Sequence, residues 1–179
     1  MKRKAVILGV LFLLGLFVVV MSMKKEVKRE MPPEAGTTVG RPAPELSVRD
    51  TAGKTYTLSA VKGSVVFINF WASWCQPCKE EMSSLQALYN RFKGDPGFRL
   101  VTILYRDDYE KARALMKEGN YEFPVYLDER GRSAAAYGVT GVPETYIVDK
   151  KGILREKLIG PADWNSPQAI FAVATPLQE

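Results

Sequence analysis

The feature that most constrains this chain is Trp74-Cys75-Gln76-Pro77-Cys78, because of what stands on either side of it. Before it runs Ser64 to Phe70 (SVVFINF), a near-continuous apolar stretch that reads as a central strand covered on both faces. After it, Met82, Leu85, Leu88, Tyr89 and Phe92 recur at helical spacing, so Cys78 to Phe92 reads as an amphipathic helix. The two cysteines therefore sit where a strand hands over to a helix N-terminus. There the unpaired backbone N–H groups and the helix dipole favour an anion, so a Cys75 thiolate is stabilised. Pro77 fits a first turn, where its missing N–H costs nothing. With two residues between them, Cys78 can attack a mixed disulfide formed on Cys75 and release a reduced product. Cys75 is the expected nucleophile and Cys78 the resolving thiol.

Other uses of two cysteines are weaker. A zinc site needs four ligands, and the chain has no third cysteine and no histidine. A purely structural disulfide over so short a loop constrains the unfolded chain little, and two inert core cysteines would not be expected to straddle a Gln-Pro helix start. The absence of histidine also excludes Ser-His-Asp and Cys-His catalysis and His-ligated haem, and no metal or cofactor is expected.

Charge narrows the partners. Of 25 Lys/Arg and 20 Asp/Glu, residues 1–30 hold seven and two, which leaves 18 of each in residues 31–179. A neutral domain has no electrostatic footprint for a phosphate backbone, so nucleic acid is set aside. Within residues 1–30, Lys2-Arg3-Lys4 precedes an uncharged apolar run from Ala5 to Met23, and Lys24, Lys25, Lys28 and Arg29 follow it. As a helix that run spans about 28 Å, close to the hydrocarbon core of a bilayer. It is longer than a signal-peptide core and lacks a small-x-small cleavage site, so a retained transmembrane anchor is favoured over a cleaved leader. The basic flanks nearly balance and do not orient it.

Residues 31–38 are polar and proline-rich and read as a tether; residues 39–179 read as one domain. Leu46 to Asp50 and Lys54 to Leu58 form a small hairpin about Thr51-Ala52-Gly53, and Phe98 to Tyr105 is a second buried strand. Asp107 or Asp108 caps a helix through Met116, which Gly119-Asn120 ends. Pro124 to Leu127 is a strand, Arg132 to Tyr137 a short helix, and Glu144 to Val148 with Ile153 to Ile159 a hairpin. Ser166-Pro167 starts the last helix. The order describes an α/β layer fold with a mixed sheet.

Phe70 to Cys78 resembles the active-site segment of thioredoxin-fold oxidoreductases. The apolar N-terminal run, Val39-Gly40-Arg41-Pro42-Ala43-Pro44, the hairpin, and Gly138 to Tyr146 (GVTGVPETY) resemble, more narrowly, the membrane-anchored TlpA/ResA/CcmG (DsbE-like) group. The resemblance implies a thioredoxin-like fold over roughly residues 39–160, with an N-terminal β-hairpin and a central helix–strand insertion at 107–127. It implies a domain facing the periplasm or cell exterior from a single-pass anchor in the cytoplasmic membrane. Such a domain reduces disulfides in client proteins, notably apocytochrome c, and a membrane donor of the CcdA/DsbD type re-reduces it. An oxidising exterior gives a dedicated reductant a use, and this sets the orientation.

The resemblance also implies roles for single residues. Val142-Pro143 matches the cis-proline loop that offers its backbone to an extended client, although an X-Pro bond reads as trans by default. Glu81, three residues after Cys78, matches an acidic residue beside the disulfide, and Glu144 matches the glutamate that follows the proline. Either is otherwise a solvated surface charge; near the sulfurs each would raise a thiol pKa or relay protons. Asn69 stands where classical thioredoxins carry a buried aspartate, so acid–base chemistry must move to the glutamates. Trp71 reads as core, and Trp74 as the apolar lip of the disulfide. Three rivals remain open at this point. One is an oxidant or isomerase on the same fold, since Gln76-Pro77 does not fix direction. Another is a peroxidase, although the proline such an enzyme needs seven residues before its cysteine is here Ile68 or Trp71. The third is a tethered client-binding module without turnover.

Overall fold

The computed structural model describes residues 37–179. The expected anchor and nearly all of the tether lie outside these residues. Among the described residues no helix is long and apolar enough to cross a membrane.

Seven strands form one mixed sheet: β1 Ser47–Asp50, β2 Thr55–Thr57, β3 Val65–Trp71, β4 Phe98–Leu104, β5 Val125–Leu127, β6 Glu144–Val148 and β7 Leu154–Ile159. Four helices accompany them: α1 Gln76–Phe92, α2 Tyr109–Glu118, α3 Arg132–Tyr137 and α4 Pro167–Gln178. The strand order is β2-β1-β5-β4-β3-β6-β7. At the centre β3 runs parallel to β4 and antiparallel to β6. All seven residues of β3 are buried, as its unbroken apolar run requires.

Alternation along β3 divides the core in two. Val65, Phe67 and Trp71 face a layer with Met82, Leu85 and Leu88 of α1, Ala112 and Met116 of α2 and Val173 of α4. Val66, Ile68 and Phe70 face the other layer, with Tyr137 of α3 and Leu46, Val48 and Tyr146. The expected insertion is present: α2 and β5 follow β4, and β5 lies between β4 and the N-terminal hairpin. Asp108, rather than Asp107, caps α2, its carboxylate accepting from the backbone N–H groups of Glu110 and Lys111. Gly138, at φ 71°, closes α3 in the left-handed conformation and turns the chain toward residues 139–143. The last helix, with no role legible in the sequence beyond closing the sheet, packs on β3 through the first core layer.

Candidate active site

The cysteines sit at the sheet end where β3 and β4 finish and β6 begins. Cys75 is the N-cap of α1, with extended backbone, and its Sγ accepts from the Cys78 N–H at 3.1 Å. Pro77 occupies the first turn. This is the environment in which a thiolate is favoured, because backbone donors and the helix dipole converge on the sulfur. Cys75 and Cys78 are joined as a disulfide. Both are nearly covered, Cys75 at 4% and Cys78 at 1% exposure.

Neighbouring loops hold this segment from both sides. The Ser73 N–H donates to Asp107 at 2.5 Å, and the Trp74 indole N–H to the Arg106 carbonyl at 3.3 Å. Trp74 is thus fixed to the loop after β4 while remaining 59% exposed, a rigid apolar rim beside the disulfide. On the other side the Val142–Pro143 bond is cis, and the Val142 carbonyl oxygen lies 3.5 Å from Cys75 Sγ. The Pro143 carbonyl accepts from Gly160 N–H at 2.9 Å, which ties the loop to the end of β7.

Glu81 is buried, at 3% exposure. One carboxylate oxygen accepts from Asn69 Nδ2 at 2.9 Å; the other accepts from Ala162 N–H at 3.1 Å and Trp164 Nε1 at 3.0 Å. Burial pushes its carboxyl above the ordinary glutamate range, and these three donors pull it part of the way back. Asn69 Nδ2 also donates to Thr145 Oγ1 at 3.0 Å. A solvated surface charge this is not: Glu81 lies one helical turn from Cys78, facing the sheet.

Glu144 is also 3% exposed but lies on the opposite face. Its register partner is Phe70, and its Oε2 accepts from the Tyr146 hydroxyl at 2.9 Å. The same hydroxyl lies 3.1 Å from the Tyr137 carbonyl oxygen. Burial first, and then Glu144, hold the Tyr146 hydroxyl well above its usual pKa. The structure thus gathers Cys75, Cys78, Trp74, Val142 and Pro143 at one sheet end. Glu81 belongs to the helix layer and Glu144 to the layer beyond the sheet.

Ala162, Trp164 and Thr145 escaped the sequence reading because they reach Glu81 or Asn69 from more than 70 residues away. One signal was available: a lone tryptophan in the turn-forming stretch Pro161-Ala162-Asp163-Trp164-Asn165-Ser166 must bury its ring somewhere. Among the described residues no group of three or more His, Cys, Asp or Glu is arranged to hold a metal ion.

Comparison with known proteins gives consistent matches. The AhpC/TSA family matches residues 39–157. Thiol-disulfide oxidoreductase ResA of Bacillus cereus is 33% identical over 122 residues, 68% of this chain and 70% of that protein. Thiol:disulfide interchange protein DsbE of Allochromatium vinosum is 35% identical over 128 residues, 70% of this chain and 68% of that protein. Among solved structures, the thioredoxin domain of a thiol-disulfide oxidoreductase from Bacteroides vulgatus superposes with a TM-score of 0.65 at 25% identity. That match covers 76% of this chain and 99% of the other.

Proposed function

The chain belongs to the AhpC/TSA family, as a thiol–disulfide oxidoreductase of the ResA and DsbE type with a thioredoxin-like fold, and on that premise we propose that it reduces client disulfides outside the cytoplasmic membrane. The observation that carries the reading is the Cys75–Cys78 disulfide at a helix N-terminus, with a buried carboxylate one turn away. In the reduced enzyme Cys75, as thiolate, attacks one sulfur of a client disulfide; the S–S bond breaks and the other client sulfur leaves as thiolate. Cys78 then gives its proton to the Glu81 carboxylate and attacks Cys75 Sγ. The mixed disulfide breaks, the client leaves fully reduced, and the Cys75–Cys78 disulfide forms. Two electrons pass to the client.

Trp74 supplies an apolar edge to the docking client, and Val142 and Pro143 offer main-chain groups to an extended segment. Glu144 supports the loop that carries them, through Tyr146. The anchor at Ala5 to Met23 holds the domain on the outer side, where a membrane donor of the CcdA/DsbD type returns two electrons after each cycle. Tethering raises the effective concentration of that donor. The proposed clients are extracytoplasmic proteins whose cysteines must be kept reduced, apocytochrome c among them.

The direction of electron flow is tested by titrating the full chain, purified in detergent, against a dithiol buffer and following tryptophan fluorescence. A potential at or below about −230 mV supports a reductant. A value near about −120 mV reverses the assignment. Labelling intact cells with a membrane-impermeant thiol reagent tests the location: reduced Cys75 is expected to react without lysis.

A further inference from the structure

The loop between β7 and α4 contains a tryptophan whose only side-chain polar group is directed at Glu81. Trp164 is 5% exposed, and its ring packs edge-to-face on Phe67 of β3, with centroids 4.8 Å apart. Its backbone N–H donates to Ser84 Oγ at 3.1 Å, and Ser84 Oγ donates to the Glu81 carbonyl at 2.8 Å. The residue is therefore clamped at ring and backbone against the strand before the cysteines and the helix after them. In that posture its indole N–H meets Glu81 Oε2 at 3.0 Å.

The charges around Glu81 make this donor matter. The surface groove that reaches it passes between α1 and the loop and is lined by two further acids, Glu80 and Asp163, with no Lys or Arg among its lining residues. From β3 and β6 the facing groups are Asn69 and Thr145, neither of which carries charge. Cys78, one turn back, is the remaining titratable group on the helix face. Among the described residues no cation pairs with the carboxylate, so its charge rests on N–H donors, and Trp164 supplies one of three.

We propose that Trp164 is a positioning residue: its indole N–H fixes the Glu81 carboxylate in the helix layer and keeps it in the charged form that accepts the proton of Cys78. This rests on the thiol–disulfide reading above and adds to it a residue from the far end of the chain. A purely structural tryptophan needs only its ring.

The test compares the full chain with Trp164→Phe, which keeps a ring against Phe67 and deletes the N–H, following the reduction rate of a small disulfide against pH. Losing a donor to the charged form raises the proton affinity of Glu81 by about tenfold, so the rising limb moves up by about one pH unit. In a Glu81→Gln background that limb is absent, only the rise set by Cys75 thiolate formation remains, and Trp164→Phe moves nothing further. A rate lowered equally at every pH, with the limb in place, overturns the proposal. Should Trp164→Phe fail to fold, the unmodified chain still decides. In a 15N-labelled sample the Trp164 indole N–H signal titrates with the same midpoint as the rate and ceases to do so in Glu81→Gln. A signal indifferent to pH overturns the assignment. If Glu81→Gln removes the limb and Trp164→Phe leaves it in place, Trp164 alone is misassigned. If Glu81→Gln leaves the limb in place, the proton role of Glu81 falls, and the role of Trp164 with it.

Discussion

Glu81 and Glu144 have the same exposure, 3%, and stand on opposite faces of one sheet. Glu81 is met by three N–H groups drawn from β3 and the loop before α4. Glu144 is met by one hydroxyl, from the residue two places along its own strand. Three convergent donors make a place where charge can reside, one turn from the cysteine that sheds a proton in the proposed mechanism. A single Tyr146 hydroxyl, shared between Glu144 and the Tyr137 carbonyl, makes a buckle between β6 and α3 behind the proline loop. Equal burial does not mean equal work: in the proposed mechanism three donors suit Glu81 to carry a proton, and a single shared hydroxyl suits Glu144 to brace the loop.

The comparison matters only if the sulfurs react. Cys75→Ser is expected to abolish insulin reduction altogether, and retained turnover would sink the mechanism. Next in size is the split between the acids. Glu81→Gln should cost about a hundredfold in rate on small and protein disulfides alike, the lower range for a positioned proton acceptor. Glu144→Gln should leave a small disulfide nearly untouched and raise KM for a protein client. Equal losses on both substrates from both variants would collapse the distinction.

Stability against pH sharpens it further. Because burial raises the Glu81 carboxyl above the usual value of 4.5, the folded chain binds that proton more tightly than the unfolded one. The resulting stabilisation is full below the usual value and is lost as pH rises through the raised one. Urea midpoints of the disulfide form should therefore fall across that window relative to Glu81→Gln. The smallest effect expected is Tyr146→Phe, about 1–2 kcal/mol by chemical denaturation, from losing the hydroxyl that Glu144 and the Tyr137 carbonyl share. A neutral result would remove the brace.

Local pattern carried most of the fold. The apolar run of β3, the helical spacing of α1 and the short helix Arg132–Tyr137 were all legible because each is dictated by neighbours in the chain. The cysteines were legible for the same reason. Whether an acid near them is buried, and against what, is decided by register between β3 and β6 and by a loop more than 80 residues along the chain from Glu81. No periodicity records either. The cis state of Val142–Pro143 came from resemblance alone, since the residues themselves point to trans.

Asn69 completes the pocket in a way a carboxylate could not. Its Nδ2 serves Glu81 and Thr145, while its Oδ1 has no hydrogen-bond partner among the described residues. An amide rotated by half a turn exchanges donor for acceptor without changing shape. When Glu81 gains a proton, or is replaced by glutamine, Asn69 can answer with its oxygen, and the Thr145 hydroxyl can turn from acceptor to donor. The pocket can thereby exchange a proton by turning an amide and a hydroxyl, with no cation brought in or released.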